Sequence, residues 1–154
     1  LTAPIFREDG IANYYLPAGT WTNYLTGETR EGGVWVEEHH DYLSIPLWVR
    51  ENSIIPVCNQ MERNDDAYDK NLQLKVYELK EEASTCVTQN GSQVLSIEIK
   101  KDGEAITCKA ETENAYEIRF VNCKLTSADN AELVVDGNDT IVKVSDPKAV
   151  VVCR

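Results

Sequence analysis

Short apolar runs separated by turn-forming residues fill the first 57 positions of the chain. The runs occupy residues 14–16, 21–25, 34–36, 45–49 and 54–57, and they are rich in aromatic and β-branched side chains. Each run has Gly, Pro, Asn or Ser close to one end. Runs of this length and composition, interrupted by residues that favour turns, predict antiparallel strands joined by tight turns.

Two features of this first segment concern its outer contacts. Residues 1–6 are interpreted as the tail of a strand, and residues 9–10 (Asp-Gly) as the turn into the next one. Residues 45–50 carry bulk on both faces, because the row starting at Ile45 and the row containing Trp48 alternate. Pro46 cannot donate to a ladder, which places it at an edge or bulge. We therefore expect one face to need outside cover, without which Trp48 or the Ile45 row is exposed.

Regular alternation of apolar and polar residues begins at Leu72 and continues to the end of the chain. The turn sequences Asn90-Gly91, Asp102-Gly103 and residues 136–139 separate the alternating runs, and Asn-Gly is the strongest short hairpin signal. One helical turn at residues 128–132 is the most helix that the pattern allows. Strands spaced about ten residues apart, with turn chemistry between them, predict a β-sandwich.

A polar stretch without a clear period, residues 58–71, separates the two patterns and predicts a linker. The predicted fold class is all-β, with antiparallel β-sandwich domains. Residues 1–57 form a partial proximal domain, and residues 58–154 form a complete distal one. Because the chain begins inside a predicted strand and without Met, we expect it to be a piece of a longer chain.

Composition narrows the class of protein further. The 154 residues are 42% hydrophobic and 27% charged, which is typical of a globular protein, and the net charge is −11. Nucleic acid and anionic membranes are poor partners for such a chain, because both bind clustered Lys and Arg. No run of about 18 apolar residues predicts a transmembrane helix, and the start of the chain does not resemble a signal peptide.

The cysteine pattern bears on the compartment. There are five cysteines, and they lie at Cys58, Cys86, Cys108, Cys123 and Cys153. The odd number argues against a disulfide framework, and the spacing does not fit a zinc site. Cys86, Cys108 and Cys153 fall in extended runs, so we interpret them as small buried hydrophobic residues. Free thiols throughout indicate a reducing compartment, so a cytoplasmic location is expected.

We assign no catalytic, cofactor-binding or metal-binding residue to the clusters of charged and aromatic side chains. Glu37 and Glu38 could serve a glycosidase only if they faced each other, but neighbours in a strand point to opposite faces. With Asp41 they are interpreted as a solvated rim. His39 and His40 are expected to be neighbouring exposed residues before a turn, rather than a switch or a ligand pair.

Three further groups of residues remain open. Asn64, Asp65, Asp66 and Asp69 gather oxygen ligands that calcium prefers, although the spacing is not that of an EF-hand. A sugar-stacking platform or a packed core could be built from aromatic residues, namely Tyr14, Tyr15, Trp21, Tyr24, Trp35, Tyr42 and Trp48. The glycosylation patterns at Asn90 and Asn138 fall at predicted hairpin tips and matter only in a secreted protein.

One series of motifs resembles a known family. In order along the chain it comprises Leu16-Pro17, Gly19, Trp21, Thr26-Gly27-Glu28, Gly32-Gly33, Ile45-Pro46-Leu47, Val49-Arg50 and Ser53-Ile54-Ile55-Pro56. This order and spacing resemble the segment that follows the catalytic barrel in glycoside hydrolase family 31. The sequences of residues 39–47 and 65–79 look most like those of the α-xylosidase branch of this family. The resemblance is strong over residues 1–57, fair over 58–80 and architectural beyond.

The resemblance implies a parent enzyme that is a retaining exo-α-glycosidase, either an α-xylosidase or an α-glucosidase. The family's two catalytic aspartates belong to a (β/α)8 barrel whose motifs this chain does not contain, so no catalytic residue is transferred to it. The implied partner is that barrel in the same parent chain. The implied role is to buttress the barrel and, in some members, to help build homo-oligomers.

Two other classes of function stay open from the sequence. One is an independent carbohydrate-binding module, which an exposed row of coplanar aromatic rings would favour. The other is a subunit-assembly domain, which a large apolar patch without such a row would favour together with the buttressing role.

Overall fold

The structure, a computed structural model, describes residues 1–58 and 70–154 and divides into two compact units, Leu1–Glu51 and Asn52–Arg154. Its regular elements in those residues are all strands, so the predicted all-β class is confirmed. The described part of the chain contains no helix of the length and apolar character needed to cross a membrane. Most of the predicted linker, residues 59–69, lies outside the described residues.

The first unit consists of two small sheets. Its strands are β1 (Ile11–Leu16), β2 (Thr20–Asn23), β3 (Thr29–Glu31), β4 (Val34–His39) and β5 (Trp48–Arg50). Strands β1 and β4 form an antiparallel ribbon, and the other three form a sheet in the order β3-β2-β5. Six buried side chains make up its core: Ala12, Tyr14, Leu16, Trp21, Val36 and Trp48.

The second unit is a sandwich of two five-stranded sheets. Its strands are β6 (Ser53–Cys58), β7 (Leu72–Tyr77), β8 (Glu82–Gln89), β9 (Ser92–Asp102), β10 (Ala105–Thr112), β11 (Tyr116–Phe120), β12 (Ala128–Asp129), β13 (Glu132–Asp136), β14 (Asp139–Val144) and β15 (Val151–Cys153). The sheets have the orders β12-β15-β10-β9-β8 and β13-β14-β11-β7-β6. Alternate residues of the strands point inward and bury one apolar core between the sheets.

The three predicted turns of the second unit are confirmed as hairpins, joining β8 to β9, β9 to β10 and β13 to β14. Asn90 and Gly91 both have positive φ, at 52° and 80°, as a two-residue turn between twisted strands requires. The predicted antiparallel sandwich is confirmed, and it contains one parallel pairing, between β7 and β11. Strands β8, β9 and β10, which intervene in sequence, belong to the opposite sheet.

The boundary between the units lies earlier than the predicted position after Val57. Strand β6 pairs along its whole length with β7, and Ile54 is buried in the sandwich core. The last motif of the family resemblance, Ser53-Ile54-Ile55-Pro56, therefore belongs to an edge strand of the second unit, because β6 makes its backbone hydrogen bonds with β7 of that unit.

Three local predictions are corrected by the structure. The strand expected at residues 45–50 begins only at Trp48, and residues 1–6 contribute a single bridge between Thr2 and Leu47. Pro46, which has no N–H, limits this pairing, although its carbonyl accepts a hydrogen bond from the Ala3 N–H. The helical turn considered at residues 128–132 is absent, because Ala128–Asp129 pairs with the final strand.

Candidate interaction surface and its supporting network

Exposed large hydrophobic side chains are concentrated in the first unit. Of ten such side chains among the described residues, only Val135 and Val150 lie in the second unit. The eight in the first unit are Leu1, Phe6, Tyr15, Leu25, Val34, Trp35, Tyr42 and Leu43. Phe6, Tyr42 and Leu43 are almost fully exposed, at 90%, 107% and 92%. This concentration makes the first unit the candidate for an interaction surface.

The ribbon of β1 and β4 explains part of this surface. Tyr15 lies directly opposite Trp35, and their ring centroids are 5.6 Å apart with planes inclined at 58°. Tyr14 and Val36, the next pair along the ribbon, point to the opposite face and are buried in the core. The ribbon is therefore apolar on both faces at this end, and the first unit covers only one of them.

An open groove of about 530 Å³ lies at the other end of the ribbon. Phe6 and Tyr42 line it together with His39 and Asp9. Asp9 accepts hydrogen bonds from Arg7 and from the Ile11 N–H, so its carboxylate is occupied by its own turn.

A buried network of hydrogen bonds supports the core face of the ribbon. The Trp48 Nε1–H donates to the Tyr14 hydroxyl at 2.7 Å, and that hydroxyl donates to Glu38 Oε1 at 2.6 Å. His40 Nε2 lies 3.1 Å from the same oxygen, and Arg30 lies 3.5 Å from Glu38 Oε2. The Arg30 guanidinium also sits 5.0 Å from the centre of the Trp48 ring. Glu38 thus joins β1, β3 and β4 and the segment that follows β4.

The ionisation of this network follows from its contacts. Burial acts to raise the pKa of Glu38, but hydrogen bonds from Tyr14 and His40 and the nearby charge of Arg30 outweigh it and hold the pKa below its usual value. Burial, followed by the hydrogen bond to the Glu38 carboxylate, raises the pKa of Tyr14. Glu38 is therefore a carboxylate and Tyr14 a neutral phenol at neutral pH.

The motif residues at the start of the chain hold the strands of the first unit in register. The Trp21 Nε1–H donates to the Pro17 carbonyl at 2.7 Å, and the Gly33 N–H donates to the Leu16 carbonyl at 2.7 Å. A Cβ on Gly32 would overlap the carbonyl oxygen of Pro17. The Pro, Trp and Gly of the motif are thus needed for one close backbone approach.

The expectation that Trp48 or the Ile45 row would form the exposed surface is wrong: Trp48 is only 2% exposed, Val49 is buried, and Ile45 and Leu47 are half-buried. Its indole N–H requires a buried partner and finds one in the Tyr14 hydroxyl. The exposed tryptophan is Trp35, at 77%. Residue alternation at 45–50 did not reveal this, because Pro46 and Leu47 stand outside the regular ladder.

Of the charged residues considered in the sequence analysis, the two glutamates lie as predicted and one of the two histidines does not. Glu37 and Glu38 do point to opposite faces, with Glu37 accepting from Asn13 on the outside. The expected exposure of both histidines is wrong for His40, whose side chain is only 11% exposed because it packs against Glu38. Its role in the network was not visible from the sequence, although its position two residues after Glu38 places the two on one face of an extended segment.

The other candidates do not form a site in the described residues. Asn64, Asp65, Asp66 and Asp69 lie outside them, and the rest contain no group of three His, Cys, Asp or Glu side chains able to hold a metal ion. All five cysteines are free thiols. Cys108 and Cys153 are buried as predicted, whereas Cys86 is exposed because it lies on the outer face of β8.

Comparison with known proteins extends the motif resemblance to nearly the whole chain. Residues 1–55 match the profile described as the glycosyl hydrolase family 31 C-terminal domain. Residues 67–154 match the profile described as the C-terminal domain of the α-xylosidase YicI. Together the two profiles cover both units.

Individual relatives agree with these profiles. The α-xylosidase XylQ of Lactiplantibacillus pentosus is 33% identical over 157 aligned residues, covering 97% of this chain and 19% of that protein. A family 31 α-xylosidase from Xanthomonas citri superposes with a TM-score of 0.61 at 25% identity, over 78% of this chain and 15% of that one. The cycloalternan-forming enzyme of Listeria monocytogenes shares the fold, with a TM-score of 0.82 at 19% identity over 99% of this chain and 18% of that one. The chain spans less than a fifth of each of these proteins.

Proposed function

The chain belongs to glycosyl hydrolase family 31 as its C-terminal region, and on that premise we propose that it is the non-catalytic part of a retaining exo-α-glycosidase. The parent enzyme would be an α-xylosidase or an α-glucosidase that acts in cytoplasmic carbohydrate metabolism. The α-xylosidase assignment is supported by the profile over residues 67–154 and by the similarity to the two α-xylosidases named above.

The structural role that we propose for the first unit is to dock against the catalytic barrel of the same parent chain and support it. One observation carries it: eight of the ten exposed large hydrophobic side chains in the described residues belong to that unit. Burying one such side chain contributes about 1.5–3 kcal/mol, so a surface of this kind is a strong docking site. Its contacts would be Phe6 and Tyr42 at the groove, the neighbouring Leu43, and Tyr15 with Trp35 on the ribbon.

The aromatic geometry supports docking more than independent sugar binding. The aromatic side chains of the second unit that the structure describes, Tyr77, Tyr116 and Phe120, are all buried. In the first unit the Tyr15 and Trp35 rings are inclined at 58°, whereas a flat platform for sugars needs coplanar rings. No observation therefore favours a carbohydrate-binding module as a second candidate.

The test uses the parent enzyme, with hydrolysis of aryl α-xylosides and α-glucosides as the assay. We expect Tyr42→Asp and Leu43→Asp to lower the temperature of half-inactivation by several degrees, because each loses about 1.5–3 kcal/mol of burial at the barrel. Val135→Asp, in the second unit, is the matched control, since that side chain is 57% exposed in the isolated fold. Equal inactivation temperatures for all three variants would contradict docking through this surface.

Two further measurements separate the alternatives. The 154-residue chain alone should hydrolyse none of these substrates, and turnover that survives repurification and follows a point mutation in it would refute the non-catalytic role. Sedimentation of the parent and its Tyr42→Asp variant tests the assembly role. A shift from oligomer to monomer without a change in the monomer's heat stability would assign the surface to subunit contacts.

A further inference from the structure

The two sheets described for the second unit have four edge strands, which differ in how they are protected against further pairing. Strand β12 has only two residues, and β6 contains Pro56. Strand β13 has five residues with an acidic side chain at each end, Glu132 and Asp136. Short length, proline and charge are means by which proteins keep a sheet edge from recruiting another strand. Three of the four edges are therefore protected.

The fourth edge, β8, is the least protected. It has eight residues, Glu82–Gln89, without proline, and its only charged residue is Glu82, at the first position. It pairs with β9 along one side, and no other backbone hydrogen bond found in residues 1–58 and 70–154 involves it. The one irregularity of the hairpin places the extra residue, Val94, on β9, so β8 itself runs without interruption. Alternate N–H and C=O groups along its free side therefore lack a backbone partner in the part of the chain that the structure describes.

The side chains along β8 suit a further strand. Ala83 is buried, and Thr85 and Val87 on the same face are only half-buried, with Val87 packed against the core. Ser84 and Cys86 on the other face are exposed. Small and β-branched side chains of this kind fit the pleated surface between two strands. A neighbouring strand would complete the cover of Thr85 and Val87.

We propose that β8 is a dimerisation edge, at which the β8 strands of two copies of this chain pair antiparallel about Thr85 and join their sheets into one. The dimerisation edge belongs to the second unit, and the proposal does not depend on the docking role proposed for the first. A partner strand must have an unprotected free edge of similar length. Among the strands described for the second unit, only β8 of another copy offers one.

Symmetry favours β8 over β1 as the partner strand. Strand β1 in the first unit has six residues, carries no charge and is paired on one side only in the described residues. Pairing of β8 with β1 of another copy would leave one strand of each kind free at the ends, so the contact would propagate into a filament. Pairing of β8 with β8 uses the same patch twice and closes after two copies.

An antiparallel register about Thr85 sets compatible residues opposite one another. Thr85 faces Thr85 of the second copy, and Ala83 faces Val87 on the core side of the sheet. Such cross-strand pairs are the unit of stabilisation in a sheet. Glu82 faces Thr88, so the two Glu82 carboxylates lie at opposite ends of the contact, whereas a parallel register would place them side by side. Charge therefore selects the antiparallel arrangement.

Sedimentation equilibrium of the 154-residue chain measures the association. Concentrations up to about 1 mM are needed, because a contact of one strand pair is small and small interfaces are weak. We expect a monomer–dimer equilibrium that strengthens with added salt, since the net charge of −11 makes the copies repel until it is screened. A strict monomer would overturn the proposal, and so would growth beyond dimers.

Like charges placed on β8 should break the dimer. In the register about Thr85, Ser84→Lys combined with Cys86→Lys sets two pairs of lysines opposite each other, at positions that are exposed. We expect dimerisation to weaken about tenfold. Ser127→Lys combined with Val135→Lys is the matched control, because it makes the same change of net charge at exposed residues outside β8. Equal weakening by the control would contradict pairing through β8.

Hydrogen exchange gives a readout that needs no β8 variant. As the concentration rises through the dimer range, we expect protection of those alternate β8 amides that do not bond β9, while amides on the free side of β13 stay unprotected. Sedimentation of Tyr42→Asp separates this surface from that of the first unit. A dimer that disappears in Tyr42→Asp, with the β8 amides unprotected in the original chain, would overturn the proposal and assign association to the first unit. A dimer that persists, with the β8 amides protected, supports the dimerisation edge whatever the result of the docking assay.

Discussion

The two units of the chain bury their apolar residues in opposite ways. In the second unit, eighteen buried side chains form one core between two sheets, and only two large hydrophobic side chains are left exposed in its described residues. In the first, the core has six buried side chains, three of them Tyr or Trp, and eight large hydrophobic side chains face solvent. The second unit buries nearly all of its large apolar side chains between its own sheets, whereas the first leaves eight of them exposed, as the proposed docking role requires.

This difference originates in strand length. Strands β8, β9 and β10 have 8, 11 and 8 residues, so alternation gives each a long inward row. Strands β2, β3 and β5 have only 3 or 4 residues. Beside its small apolar core, the first unit is also held together by the hydrogen bonds of the network around Glu38. Such a network holds strands together only while each of its partners is present.

Separating the units is the most severe test of the comparison. We expect a fragment of residues 52–154 to unfold in one cooperative transition and a fragment of residues 1–51 to show none, because about 50 residues with so small a core are marginal. Circular dichroism of each fragment measures this. A fragment of residues 70–154, which lacks β6, should be less stable than 52–154, since Ile54 is part of the core.

A cooperative transition in residues 1–51 alone would contradict the idea that this unit needs cover. Tryptophan fluorescence distinguishes the units within the intact chain, because all three tryptophans, Trp21, Trp35 and Trp48, lie in the first.

Removing one hydroxyl group from the network around Glu38 should give the next largest loss of stability. Tyr14→Phe leaves the Trp48 indole N–H buried without its acceptor, so we expect the first unit to lose about 1–3 kcal/mol of stability. Urea unfolding followed by tryptophan fluorescence measures the loss. Tyr15→Phe is the control, because the Tyr15 side chain lies on the exposed face; a comparable loss there would mean that removing any tyrosine hydroxyl has this effect, and that the buried hydrogen bond is not its cause.

Acid sensitivity is the smallest expected difference. The pKa of Glu38 is lowered in the folded chain, so its contribution to stability is complete above the usual value of about 4.3 and is lost as pH falls through the lower folded value. Urea midpoints measured by tryptophan fluorescence should therefore fall on acidification. Glu38→Gln should flatten this dependence and Glu37→Gln should not, and the reverse order would show that the network has been assigned to the wrong carboxylate.

The fold of the second unit was predictable because its signals are local. Alternation from Leu72 onward and turn pairs such as Asn90-Gly91 specify hairpins through neighbours in sequence. The parallel pairing of β7 with β11 was not predictable in this way, because it depends on which sheet each strand joins. The division of the chain after Glu51 was not predictable for a similar reason, since β6 pairs with β7, which follows it only after residues 59–71.

The candidate site was predictable in composition but not in arrangement. Aromatic richness in residues 14–48 indicated either a core or a surface, and both are present, with Trp48 in the first and Trp35 in the second. Which tryptophan is buried depends on a hydrogen-bond partner from another strand, and sequence periodicity does not contain that information. His40 was missed because its burial results from Glu38, a residue that is itself polar.

The parallel pair at the centre of the sandwich has a kinetic consequence. Gln73 on β7 and Glu117 on β11 are 44 positions apart, yet they are neighbours in one sheet, and three strands of the other sheet lie between them in sequence. The entropy of closing that loop is lost before its contacts are gained, so we expect the crossover to limit the folding rate. The hairpins of the second unit should form early, and refolding should wait, on a scale of about milliseconds to seconds, for β11 to reach β7.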